Sequence, residues 1–174
     1  MCASPLEILR AGPPPPRVVL LPDGLFFIRS IPVTLDGEGT EGQTHEQQVA
    51  SQVEFALEAS SPFPLLNLYY GHFWLPGETH ALIYASYRRR FAADQTDSWE
   101  GADLVCPAFV AAAAMTAEPA TTVLLSSTEG ITAIYWSTQK VPHKVMFQAV
   151  AADATDEQKI EIKTQLLKNF ESLK

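Results

Sequence analysis

The stretch from Thr44 to Arg90, THEQQVASQVEFALEASSPFPLLNLYYGHFWLPGETHALIYASYRRR, decides how the chain is organised. Thr44 followed by Gln47 is a capping box: the hydroxyl can accept the amide three residues on, and the glutamine side chain can reach back. The spacing predicts a helix running to about Ala59, with Val49, Val53, Ala56 and Leu57 as its buried stripe. Ser60-Ser61-Pro62-Phe63-Pro64 stops that helix, because proline lacks the amide hydrogen and biases its predecessor to extended backbone. Two strands follow, Leu66 to Trp74 and His80 to Tyr87, turned at Pro76-Gly77-Glu78. Arg88 to Trp99 then reads as a helix.

The flanks extend this α/β pattern. Upstream, Arg17 to Leu21 and Leu25 to Ile31 are strand-like runs separated by Pro22-Asp23-Gly24, which predicts a β-hairpin. Residues 1–16 form a proline-rich leader, where four consecutive prolines favour an extended polyproline II spacer. Downstream come a short strand at Ala102 to Cys106 and an alanine-rich helix at Ala108 to Met115. Thr121 to Ser126, Ile131 to Ser137 and Lys144 to Val150 then form a strand meander. Thr155 and Gln158 make a second capping box for an amphipathic C-terminal helix carrying Ile162, Leu166, Phe170 and Leu173. The expected organisation is thus a leader, a mixed α/β domain over residues 17–150 with a mixed sheet and flanking helices, and a C-terminal helix over 151–174.

Bulk properties narrow the function. With 174 residues the chain can bury a core without staples, and 47% hydrophobic against 18% charged residues is a globular composition. Twenty acidic against 12 basic residues give a formal charge of -8, which repels phosphate backbones and anionic lipid surfaces. Nucleic acid is excluded as the expected partner. The one tight basic run, Arg88-Arg89-Arg90, reads as a solvated helix start, with an anion site as the alternative. The longest apolar run, Leu104 to Met115, contains Pro107 and is too short to span a bilayer of about 30 Å. Met1 to Gly12 lacks a secretory signal pattern. Direct membrane insertion is therefore not expected, and the localisation read is cytoplasmic, with any attachment to the inner membrane made through a partner. Cys2 and Cys106 are far apart, so Cys106 reads as a buried free thiol in a reducing compartment.

No catalytic constellation emerges. His45, His72, His80 and His143 lack the short paired spacing of zinc ligands; His72 and His80 could face each other across their hairpin, but cross-strand packing explains them. There is no Gly-x-Ser-x-Gly elbow or Ser/His/Asp order, and the carboxylate pairs Asp94/Asp97 and Asp153/Asp156 sit in helix-start contexts. The aromatics Phe63, Tyr69, Tyr70, Phe73 and Trp74 are dense enough to supply both a core face and an exposed apolar strip.

Three segments, in this order, resemble the PilM-like and GspL-like families, the actin-like ATPase-fold proteins of type IV pilus assembly and type II secretion. They are the helix Gln47 to Ala59 ending in Ser61-Pro62-Phe63-Pro64-Leu65, the strand and basic helix start Ala81 to Arg88, and Gly101 to Phe109 followed by the hairpin Thr121 to Trp136. The resemblance implies a partial actin-like, ribonuclease H-like domain. It also implies where a nucleotide should sit, since active members use an Asp-x-Gly strand-turn-strand to bring backbone amides and a hydroxyl to phosphates.

Two places correspond. Asp23 and Gly24 lie in Leu21 to Leu25, but proline precedes them, no hydroxyl follows, and turn geometry explains them fully. Ser126, Ser127, Thr128 and Gly130 lie in Leu124 to Thr132, which keeps hydroxyls but carries Glu129 in place of the aspartate that would hold a magnesium-bound water. A full actin-like cleft also needs two such domains, more than this chain is expected to supply. The reading is a non-enzymatic assembly scaffold with no cofactor, binding a protein of a pilus or secretion machine or a second copy of itself through residues near Phe63, Tyr70 and Trp74. Two alternatives stay open: an ATPase of the same fold using ATP and magnesium, and an unrelated ligand-binding α/β domain.

Overall fold

The computed structural model describes residues 16–35, 44–137 and 140–171, so the leader before Pro16 and Leu173 lie outside the described residues. The strands are β1 (Val18–Leu21), β2 (Phe27–Pro32), β3 (Leu68–Phe73), β4 (His80–Tyr87), β5 (Leu104–Pro107), β6 (Thr121–Ser126), β7 (Gly130–Trp136) and β8 (Lys144–Ala149). The helices are α1 (His45–Ser60), α2 (Ala93–Asp97), α3 (Phe109–Ala113) and α4 (Asp156–Glu171). The result is mixed α/β, but the expected single mixed sheet is divided into three among the described residues: β2-β4-β3, β6-β7-β8, and the parallel pair β1-β5.

Each long helix starts as its cap dictates. The Thr44 hydroxyl accepts the Gln47 amide at 3.3 Å while the Gln47 side chain accepts the Thr44 amide at 2.9 Å, and Thr155 with Gln158 repeats those two bonds at α4. Val49, Val53 and Leu57 of α1 pack on Ile31, Leu68, Ala81, Ile83 and Ala85, one face of the β2-β4-β3 sheet. Ala56 is only partly buried. On α4, Leu166 and Phe170 are buried against Ile131, Ala133 and Tyr135 of β7, with Ile162 partly buried beside them. The opposite faces of both three-stranded sheets, represented by Leu82, Tyr84, Ile134 and Trp136, close together over Phe109, Ala112 and Ala113 of α3. Strands β4 and β7 are consequently buried on both faces, which the runs Ala81 to Ala85 and Ile131 to Trp136 anticipate, with Thr132 the polar exception.

Two sequence expectations are corrected. Arg17 to Leu21 and Leu25 to Ile31 do not form a hairpin: β1 pairs in parallel with β5, Val18 opposite Leu104, while β2 pairs antiparallel with β4, Phe27 opposite Ala85. Pro22-Asp23-Gly24 has hairpin chemistry, yet Asp23–Leu25 forms a 3-10 turn that redirects the chain from one sheet to another. Long-range bonds to the Asp23 side chain hold it there, and local turn preference does not register them. Arg88 to Trp99 is not one helix but a 3-10 turn at Arg88–Arg90, extended backbone at Phe91, and the single turn α2. Phe91 is buried and its ring meets Tyr69 at 5.8 Å and Trp99 at 5.1 Å, an anchor that a continuous helix would not provide. The strand pair β3-β4, the meander β6-β7-β8 and both long helices follow the sequence expectation.

Candidate functional site

The two loops that sequence singles out for phosphate binding meet in space, joined by a carboxylate. Asp23 is 7% exposed. Its Oδ1 accepts the Phe109 amide at 2.9 Å, and its Oδ2 accepts the Thr132 hydroxyl at 2.6 Å. Three segments are thereby pinned together: the turn after β1, the β5–α3 junction and β7. A carboxylate so committed has both oxygens bonded to protein donors.

Backbone approach is also closed. A Cβ placed on Gly24 would lie 2.5 Å from Cε1 of Phe147, and one on Gly130 would collide with the same ring and with the Gln148 carbonyl. The Phe147 ring thus covers both glycines. In the second loop the Ser127 hydroxyl accepts the amides of Glu129 at 3.3 Å and Gly130 at 3.2 Å, and donates to the Gly130 carbonyl at 3.1 Å. Amides that could cradle an anion are turned onto the loop's own serine. Ser126, Thr128 and Glu129 are exposed.

The aromatic candidates separate. Phe63 is 40% exposed and stacks on Tyr87, ring centroids 4.2 Å apart and planes 13° from parallel. Tyr70, also exposed, donates its hydroxyl hydrogen to Glu54 Oε1 at 2.9 Å, and that bond to a carboxylate raises the phenol above its ordinary value. Trp74 is partly buried against the α1 core and donates its indole hydrogen to the Glu78 carbonyl at 3.0 Å, so it contributes less open surface than the other two.

Phe63 and Tyr87 wall an apolar cleft of about 380 Å³ that also takes in Leu25, Phe27, Pro62 and Arg90. A second groove of about 520 Å³, bounded by Arg29, Ile31, Gln52 and Phe55, shares Ser60 with the first. Together they run between α1 and β2. Phe27 at 47% and Phe55 at 74% exposure belong to this surface and were not singled out by sequence. Phe55 carried a signal, since it lies off the Val49-Val53-Leu57 stripe.

Histidine geometry corrects the cross-hairpin pair. His72 lies opposite Ile83, and His80 lies opposite Pro32 of β2. His80 instead approaches His143, ring centroids 5.6 Å apart. Among the described residues no group of three or more His, Cys, Asp or Glu is placed to hold a metal. Cys106 is a buried free thiol, its pKa pushed up first by burial and then by the nearby Asp23 charge.

No family model matches the chain, and no curated protein matches it. Among solved structures, it is similar to the cytoplasmic domain of EpsL, an inner membrane component of the type II secretion system of Vibrio cholerae. That match has 17% identity and a TM-score of 0.46, and it covers 76% of this chain and 50% of that one. The chain thus spans half the length of that domain.

Proposed function

We propose that this chain is a non-catalytic assembly domain of the partial actin-like, ribonuclease H-like type, working by protein–protein binding in a type IV pilus or type II secretion machine. The observation that carries the non-catalytic part is the sequestered Asp23, bonded through both oxygens to Phe109 and Thr132, with the Phe147 ring against the adjoining Gly24. A phosphate site needs open backbone amides and a carboxylate free to face a hydrated cation, and here those groups serve internal packing. Binding is supported by the aromatic surface around Phe27, Phe55 and Phe63, which exposes large apolar side chains beside a concave groove. The choice of machine rests on the resemblance of Ser61 to Leu65, Ala81 to Arg88 and Gly101 to Phe109 to the family's segments. No described helix is long and apolar enough to cross a membrane, and a cytoplasmic position beside the inner membrane, held by a partner, fits that reading.

Titration with ATP and magnesium, followed by thermal melting, separates this reading from the ATPase alternative. A ligand at about 100 times its dissociation constant stabilises the native state by about 2.7 kcal/mol, a readily measured rise in melting temperature. The expected result is no shift at millimolar ATP and no release of phosphate. A saturable shift abolished by Thr128→Ala or Gly130→Val overturns the non-catalytic reading.

A further inference from the structure

We infer that the groove between α1 and β2 takes an extended segment of a partner protein in which acidic residues alternate with large apolar ones. This rests on the protein-binding reading above and adds the place and the chemistry. The two concavities meet at Ser60, so together they form one track, with Phe63 and Tyr87 at one end and Phe55 at the other. Phe27, Arg29 and Ile31 line its length because alternate residues of β2 point to the same side of the sheet. Strand period therefore gives an extended ligand matching pockets at every second residue.

Charge selects the partner. The chain carries eight more acidic than basic residues, yet among the described residues Arg29 and Arg90 are the only charged side chains lining either concavity. Arg88 and Arg89 precede Arg90 in the same 3-10 turn but line neither concavity. Nor are these guanidinium groups neutralised by carboxylates among the described residues, where the one ion pair is Lys159 with Asp156. Arg90 instead donates Nη1 to the Leu25 carbonyl at 2.9 Å, and Arg88 donates Nε to the Leu68 carbonyl at 3.0 Å while lying 4.6 Å over the Tyr69 ring. The bond to Leu25 fixes Arg90 in place without pairing its charge to a carboxylate among the described residues. Glu54 and Glu58 of α1 act on Tyr70 rather than lining the groove. The C-terminal end of α1 at Ser60 carries partial negative charge, which keeps carboxylates away from that point and steers them to Arg29 and Arg90 on either side. A uniformly anionic polymer suits this surface poorly, because the apolar floor would stay empty and the net charge of the chain repels it.

The test is selection of a random peptide-display library on the full chain, with counter-selection on the Arg29→Glu/Arg90→Glu variant. The expected peptides combine Asp or Glu with Leu, Phe or Trp. Synthetic copies should lose about tenfold or more in affinity against that variant and against Phe55→Ser, and weaken as salt rises. Phe55 is exposed and outside the core, so its variant separates loss of the groove from loss of the fold, which unchanged circular dichroism and urea midpoint confirm. Enriched peptides without acidic residues, peptides insensitive to both variants, or no enrichment overturn the inference. So does arginine-dependent binding of phosphatidylserine vesicles, of a single-stranded oligonucleotide, or of a second copy of the chain. Acidic peptides that bind with unchanged affinity to both variants sink the groove while leaving protein binding intact, so the two readings fail separately.

Discussion

The hydroxyl of Thr132 lies 2.6 Å from Oδ2 of Asp23, a residue 109 positions earlier in the chain. This buried bond and its companion from the Phe109 amide make Asp23 a structural carboxylate. Asp23→Ala leaves two buried donors without an acceptor and should destabilise the fold by about 2–4 kcal/mol. Asp23→Asn keeps an oxygen for the amide and offers hydrogen to the hydroxyl, so it should lose about half as much or less. Urea midpoints with an unchanged slope measure both; equal losses would contradict the bonding pattern.

Gly24 and Gly130 are both pressed by Phe147, but the obstacle differs. At Gly24 only the ring intrudes, whereas at Gly130 the Gln148 carbonyl blocks as well. Alanine at either site should cost about 1–3 kcal/mol by overpacking. Phe147→Leu should recover most of the loss in Gly24→Ala and little of it in Gly130→Ala. A double-mutant cycle that finds equal rescue refutes the distinction.

His143 and His72 are held below the ordinary histidine value, each first by burial; His80 and then Lys144 push His143 further down. Between the depressed folded value and the unfolded value of about 6.5, the unfolded chain binds more protons. The contribution of these two histidines to stability is therefore full above that upper limit and declines as pH falls below it, levelling off beneath the folded value. His143→Gln should flatten part of this decline. Denaturation profiles across pH that stay level, or rise on acidification, contradict the sign.

Cys106 is 2% exposed, with its thiol pKa raised by burial. In a Cys2→Ser background, labelling by a thiol reagent should track unfolding, slow in buffer and fast in denaturant. Rapid labelling of the native protein would show that the β5–α3 junction opens locally.

Sequence made the repeating elements legible where a local rule is strong. The two Thr/Gln capping boxes start α1 and α4, and turn residues join β3 to β4 and β6 to β7. It misled where long-range bonds override local preference: Pro22-Asp23-Gly24 suits a hairpin, but the Asp23 carboxylate is claimed by Phe109 and Thr132, and β1 leaves for β5. The candidate phosphate loops were visible as motifs, but the Phe147 ring that covers their glycines comes from β8 and has no local signature. Phe63 was singled out from the density of aromatics between it and Trp74. Arg29 and Phe27 gained meaning only when β2 and α1 were seen to leave a groove between them.

The parallel pairing of β1 with β5 also sets an order of events. Its strands are bridged at Arg17 and Asp103, 86 residues apart, so a long loop must close before β1 gains any ladder partner. The hairpin β3-β4 can form from neighbouring segments much earlier. During synthesis the apolar run Val18 to Leu21 therefore waits, unpaired, until Leu104–Pro107 leaves the ribosome. The first of the described strands is among the last to be fixed, and substitutions there should alter unfolding rates more than folding rates.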